Sequence, residues 1–426
     1  MKINDLIFKL EGREKMDFLR RNNIFIMSII CLVLTITINA TYSKFTYSKE
    51  LIGNIVTVKP PTFSESLIES AKNNLDTNVD FGKKSSTTNG IGLMMRDGTQ
   101  NDEYPIVYYR GDVSNNNVIF ADLCWLIVRT TETGGTKLVF NGPVVENADG
   151  TESCTNYSGV GGETANTSDT DVLAGNASTK FNTSYDSPVY VGYMYNEQAF
   201  TLNRTTIAAD WPAYLSLQTI DSETGRHTTN LTDSAIKEVI DAWYKTNIEG
   251  TLAESLLEDT VWCNDRSVIS ETYSIENYSN GTNTEFYFAA QTRLSENTTK
   301  TPSLMCIRDI DKFTVDSVNG NGDLDYPIGL LTADEINLAG HPDRNSKFSS
   351  ASITTYLRLT SKALWTLSPS GAGGYTKAYF LNSDDYLSTN VVWNAYSARP
   401  AISLNKNATI SGGNGSFITP YLIEVK

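Results

Sequence analysis

Short apolar runs separated by polar clusters recur along most of the chain. Tyr104–Tyr109 (YPIVYY), Asn117–Phe120 (NVIF), Cys124–Val128 (CWLIV) and Lys137–Phe140 (KLVF) are β-branched or aromatic runs. Gly111, Asp112, Ser114–Asn116 and Thr133–Gly135 punctuate them. Such runs with such turn residues predict a β-meander. Ser187–Tyr195 has strand character again. So do Leu364–Leu367, Ala378–Leu381, Asn390–Trp393, Ala401–Leu404 and Phe417–Val425. Two segments break the pattern. Ile236, Val239, Ile240, Trp243 and Tyr244 fall at helical spacing behind an N-cap at Thr232 or Asp233. Thr332 and Glu335 form a capping box ahead of Ile336, Leu338 and Ala339, and Gly340 can close that helix. No internal repeat of fixed period is present. The fold class predicted is α+β, β-rich with a few helices.

Ahead of this pattern the chain is different. Ile24–Ile38 (IFIMSIICLVLTITI) contains no charge. Extended to Ala40 it makes a helix of roughly 25 Å, close to the hydrocarbon thickness of a bilayer. Lys9, Arg13, Lys15, Arg20 and Arg21 precede it, and only Lys44 and Lys49 follow nearby. The positive-inside bias predicts a single-pass cell-membrane protein with its C-terminal domain extracellular. Ile38, Asn39 and Ala40 make a poor cleavage site because Ile38 is bulky. An uncleaved anchor is the favoured reading and a cleaved signal peptide the alternative. Residues 1–45 thus read as tail and anchor or signal. Residues 46–102 read as a polar stalk and 103–426 as the outer domain. Residues 145–187 read as a long polar loop.

Composition narrows the function classes. The 426 residues carry 34 Lys+Arg against 49 Asp+Glu, a net charge of −15, which disfavours nucleic acid as a partner. His227 and His341 are the only histidines, too few for a histidine-rich metal site. Cys31 lies in the apolar run. The other four cysteines, Cys124, Cys154, Cys263 and Cys306, are an even number outside it and predict disulfides. Of three connectivities, 124–154 with 263–306 is favoured, because each closes a local loop. No CxxC pair supports zinc.

Recognisable catalytic patterns are few. There is no GxSxG, HExxH or GxxxxGK[ST] motif. Ser234 and Lys237 match SxxK, but the SDN and KTG partners are missing, and both residues simply open the amphipathic helix. Asn319–Asp325 places oxygen ligands at alternate positions. It has Leu324 where a calcium loop needs Gly and Leu330 where it needs Glu, so it reads as a polar turn. Asn-x-Ser/Thr triplets such as Asn176–Ser178 follow from the Asn-rich composition.

Three passages together carry a family likeness. They are Phe120–Arg129 with Gly134–Phe140, Tyr326–Glu335 with Ala339 and Gly340, and Leu364–Pro369 with Ala378, Tyr379 and Ser397–Leu404. This set resembles an uncharacterised extracytoplasmic protein family of low-GC Gram-positive bacteria, with its W-x-I-V-R opening, WTLSP strand and closing VRP-x-x-x-L. It is also similar to the C-type lectin-like fold in the broad sense that includes formylglycine-generating-enzyme-like domains. The resemblance would cover about residues 103 to 410. It implies no calcium-dependent sugar site, because the EPN or QPD triplet and the later WND are absent, and Trp262–Asp265 reads WCND. Trp125 and Trp365 are expected in the core. Arg399, next to Pro400, is expected to hold loop carbonyls.

The functional expectation is a membrane-anchored, non-catalytic recognition or adhesin-like surface protein. Its partners would be the cell membrane, through the N-terminal helix, and an extracellular glycan or protein. The alternatives are a carboxylate-dependent hydrolase and a surface-appendage subunit. No cofactor or metal is implied. Ligand contact is expected between the strands Leu364–Leu367 and Ala401–Leu404, where aromatic area and adaptable amides alternate. The candidate ligand-binding residues are Asn382, Asp384, Tyr386, Asn390, Asn394 and Tyr396. Trp393 is expected in the core of the final meander, and Tyr386 and Tyr396 on its surface.

Overall fold

The computed structural model describes residues 50–51, 54–55, 61–159, 169–185, 188–196, 230–267, 286–344, 355–359, 361–372 and 375–424. The chain divides into Met1–Pro61 and Thr62–Lys426. In the first unit Glu50–Leu51 pairs antiparallel with Asn54–Ile55. The expected membrane segment, residues 24–40, lies outside the described residues. Among the described residues no helix is long and apolar enough to cross a membrane.

The second unit is α+β, mostly sheet. It begins earlier than the composition indicates. Phe63–Ala71 is a helix, α1, with a complete Thr62–Glu65 capping box, and it buries Phe63 and Leu67. Gly92–Met95 is a strand, β1. The part of the expected stalk from Thr62 onward is therefore folded. Its polar residues cap and line the surface, while a few apolar positions bury.

One sheet has nine strands. Val107–Arg110 (β2), Asn117–Phe120 (β3), Leu123–Thr130 (β4) and Thr136–Pro143 (β5) form the expected meander. β1 pairs with β2, and β2 with β4. Nearly every position of β3, β4 and β5 is buried, and Val118, Trp125, Ile127 and Leu138 wholly so. The six-stranded sheet contains Ala174–Lys180 (β6), Leu364–Ala372 (β8), Lys377–Leu381 (β9), Leu387–Val391 (β10) and Ala395–Ala398 (β11), in the order β6-β11-β8-β9-β10, with the short strand Phe286–Tyr287 paired to the end of β8. β6 falls inside the expected polar loop. Its composition hides it, and pairing with β11 across a bulge makes it a strand. Ser187–Tyr195, expected as a strand, is instead a 3-10 turn over Pro188–Val191 and a two-residue strand, Met194–Tyr195.

Ile328–Gly329 (β7) and Ala401–Leu404 (β12) extend the nine-stranded sheet beside β5. Ile410–Gly412 (β13) and Tyr421–Ile423 (β14) complete it. β14 lies parallel to β3, with Tyr421 opposite Val118. Asn117 Nδ2 donates to Gly415 O at 3.1 Å, 298 residues along the chain.

The helix Ala235–Asn247 (α2) is capped by Ser234, one residue past the expected caps, and buries Ile236, Ile240, Trp243 and Tyr244. Its Trp243 meets Trp125 edge to face at 5.9 Å and Phe140 at 4.8 Å. Trp125 Nε1 donates to Phe120 O at 2.9 Å, so the indole buries without an orphaned donor. Trp365 does the same on the other sheet, donating to Thr179 O at 2.9 Å. Arg399 and Pro400 carry the chain from β11 to β12, between the sheets. The buried Arg399 donates to Phe140 O (2.7 Å), Leu357 O (3.1 Å) and Asn141 Oδ1 (3.0 Å), as its fork of donors allows. Gly111 has φ 80°, and a Cβ there would lie 2.7 Å from Ser85 Oγ, so only glycine fits.

Both expected disulfides are present. Cys124–Cys154 spans 5.8 Å between Cα atoms and Cys263–Cys306 spans 5.6 Å. The first pair is buried, whereas both cysteines of the second are partly exposed.

Candidate functional site

The six residues expected at the ligand surface separate into two groups. Asn382, Asp384 and Tyr386 form the turn between β9 and β10. There Asn382 Oδ1 accepts from Asp384 N at 2.6 Å, and Asn382 N donates to Tyr386 O at 2.9 Å. The Arg344 guanidinium lies 5.7 Å from the Tyr386 ring centre. Asn390 sits near the far end of β10, Asn394 in the turn that follows and Tyr396 in β11.

Tyr396 is not presented to solvent as expected. Its ring stacks on Phe380 at 4.3 Å and meets Trp365 at 4.8 Å, and Asn390 Nδ2 donates to its hydroxyl at 2.5 Å. Trp393 shows the reverse. Expected in the core, it is 47 % exposed, because it falls in the turn after β10 rather than within a strand.

Trp393 belongs to a row of rings. Tyr185 lies 5.3 Å from Trp393 and 5.4 Å from Tyr375, tilted by 52° and 49°. Tyr375 is 49 % exposed. Three backbone hydrogen bonds bring these distant segments together: Thr376 N to Tyr185 O (2.9 Å), Val392 N to Thr376 O (3.0 Å) and Asn182 N to Val392 O (3.0 Å). Lys180, the last residue of β6, pairs in register with Ala395 and places its ammonium 4.6 Å from the Trp393 ring centre. Sequence reasoning missed Tyr185, Tyr375 and Lys180. No local pattern marks them, since long-range pairing, of β6 with β11 for Lys180 and Tyr185 and of β9 with β10 for Tyr375, brings them to Trp393.

A cleft of about 710 Å³ opens elsewhere on the second unit. Its floor is the first turn of Ala333–Leu338 (α3). Buried Glu335 accepts from Arg129 Nε at 2.8 Å and faces Lys137 Nζ at 2.9 Å. Burial opposes its charge, yet Lys137 and Arg129 outweigh this and hold the carboxyl down at about 2. Burial pulls Lys137 below its ordinary value, against the pull of Glu335, and its ammonium also lies 4.3 Å from the Trp262 ring centre. Arg293 grips Asp334 with two nitrogens (3.0 and 2.8 Å) and Asp265 with the third (3.0 Å). Asp259 is pushed up by burial, although it accepts from Val315 N and Asp316 N. Cys263 and Cys306 are in the cleft wall.

The SxxK pair has a structural role. Ser234 Oγ caps α2 by accepting from Lys237 N. The Lys237 ammonium is buried among Asp233 (3.1 Å), Asp241 (2.7 Å) and Asp325 (3.6 Å). These carboxylates lie close enough to share a metal ion, and the ammonium is the cation they surround. The calcium-like segment is a turn that bonds inward: Asn321 Oδ1 accepts from Asp323 N, and its amide donates to Ile310 O.

Comparison with family models, with curated proteins and with solved structures finds no match to this chain.

Proposed function

We propose that this chain is a non-catalytic recognition protein held in the cell membrane by residues 24–40, with the unit from Thr62 outside the cell. The observation that carries the reading is the solvent-facing row Tyr375–Tyr185–Trp393, bordered by Asn394. Large rings left half in water, fixed by backbone pairing to a sheet, supply contact area at little entropic cost. The two disulfides support an oxidising compartment. The C-type lectin-like build stays part of this proposal, supported by the α+β content and by the WTLSP strand and Arg399-Pro400 lying at the junction of the sheets. The hydrolase alternative would need one protonated and one unpaired carboxyl facing each other. In the cleft Asp265, Asp334 and Glu335 each hold an arginine or lysine, and Asp259, raised by burial, accepts from two backbone amides.

The test has two parts. Protease added to intact protoplasts should digest the large unit, and its survival until lysis would refute the orientation. A glycan and cell-wall array probed with the full chain in detergent should show binding that Trp393→Ala and Tyr375→Ala remove. Binding that both variants retain would place recognition elsewhere.

A further inference from the structure

The row of rings has a charged end, and this narrows what it takes. The Lys180 ammonium lies over Trp393, and no carboxylate pairs with it among the described residues. The buried lysines Lys137 and Lys237, by contrast, are both paired. The two large exposed rings, Tyr375 and Trp393, both lie against Tyr185, so the three form one continuous apolar surface. A cation entering at Trp393 would meet the ammonium already there. Asn394, beside Trp393, has its backbone N–H engaged with Val391 O, while its side-chain amide offers a donor and an acceptor.

We propose that Tyr375, Tyr185, Trp393, Lys180 and Asn394 form a binding site for a carboxylate-bearing saccharide. The inference rests on the recognition reading above and specifies its ligand. Sugar rings present an apolar C–H face, which suits the flat faces of Tyr375 and Tyr185. Their equatorial hydroxyls suit an amide that can both donate and accept. A sugar carboxylate suits Lys180, which pairs with no carboxylate among the described residues. The pairing is exposed at one edge, so it contributes selectivity and salt dependence more than bulk affinity.

The full chain in detergent is titrated with oligogalacturonate, oligomannuronate and unsulfated chondroitin, each also as its methyl ester. The ester keeps the ring and removes the charge. At least one acid form should bind about tenfold or more tightly than its ester, and the ratio should shrink as salt rises. Lys180→Gln should bring the ratio to about one while leaving ester binding in place. Trp393→Ala and Tyr375→Ala should remove both, with the thermal midpoint unchanged. Equal binding of acid and ester by the parent chain overturns the carboxylate assignment but leaves recognition by the rings intact. Binding that Lys180→Gln leaves acid-selective moves the site elsewhere. No binding to any of the three acids overturns the saccharide class, while array binding lost in Trp393→Ala would still uphold the recognition reading.

Discussion

Arg129 Nε donates to Glu335 Oε1 at 2.8 Å, tying a strand of the nine-stranded sheet to a helix 206 residues further along the chain. Both side chains are buried, and Lys137 shares the same carboxylate oxygen. One anion thus compensates two buried cations, with Glu132 assisting Arg129 from the surface. Glu335→Gln should cost about 3–5 kcal/mol, since it leaves charge buried without its partner. The effect has a pH signature. The carboxyl is held at about 2 in the fold, below its unfolded value. Its stabilisation is therefore present above about pH 4.5 and lost as pH falls towards 2. Melting temperatures of parent and variant should converge in that acid window. A constant gap down to pH 2 would show that Glu335 does not titrate as described.

Asp385 should behave in the opposite sense. It sits at φ 68° in the β9–β10 turn, and burial pushes its carboxyl up to about 6 despite Arg358 nearby. A raised folded value means that ionisation opposes folding. Stability from the neutral form is full below about pH 4 and lost as pH rises through 6. Asp385→Asn keeps the shape, tolerates the left-handed backbone and stays uncharged. It should stabilise the chain at pH 7.5 by at most about 3 kcal/mol and by little at pH 4. Denaturant melts at the two pH values measure this, and an equal shift at both would contradict it.

Tyr396 and Tyr386 should part company on mutation. Tyr396→Ala removes a ring stacked on Phe380 and set edge-on to Trp365, and should cost about 2–4 kcal/mol. Tyr386→Ala removes a partly exposed turn residue and should stay within roughly 0.5 kcal/mol. Chemical denaturation of the single variants separates them, and similar losses would mean that the turn at Asn382 is as much a part of the packing as the β11 ring.

The two disulfides should reduce in sequence. Cys124 and Cys154 are sealed beneath Ile119, while Cys263 and Cys306 are partly open to the cleft. A thiolate must reach a sulfur in line, so access orders the rates. Graded dithiothreitol followed by alkylation and peptide mapping should label Cys263 and Cys306 first. Prior labelling of Cys124 would reverse that order.

These particulars show which parts of the fold were legible. Asn117–Phe120 and Ala401–Leu404 match their strands end to end, because four consecutive residues are buried in each and apolar residues dominate both. The Thr332–Glu335 box and the stripe of α2 are local signals that survive packing. β6 was illegible, since a strand reading AGNASTK draws its identity from the partner strand rather than from propensity. The same reason governs the candidate site. Asn394 was legible from its amide-rich segment. Tyr185 and Lys180 lie some 200 residues upstream and join it only through pairing of β6 with β11. Trp393 and Tyr396 exchanged their expected environments because three residues of register decide which ring enters a turn and which faces the sheet.

The parallel seat of β14 beside β3 also sets a timetable. A ribosome takes on the order of 15–60 s to make the stretch between Asn117 and Gly415. Throughout that interval one edge of β3 has its backbone groups unpaired and a run of Val118, Ile119 and Phe120 beside them. An unpaired apolar edge invites strands from other chains. Local events, such as the hairpin of β4 with β5 or closure of Cys124 on Cys154, can run ahead. The nine-stranded sheet cannot close until its downstream strand arrives. Completion of this unit is therefore a late step, and until β14 is made the β3 edge must be shielded in some other way.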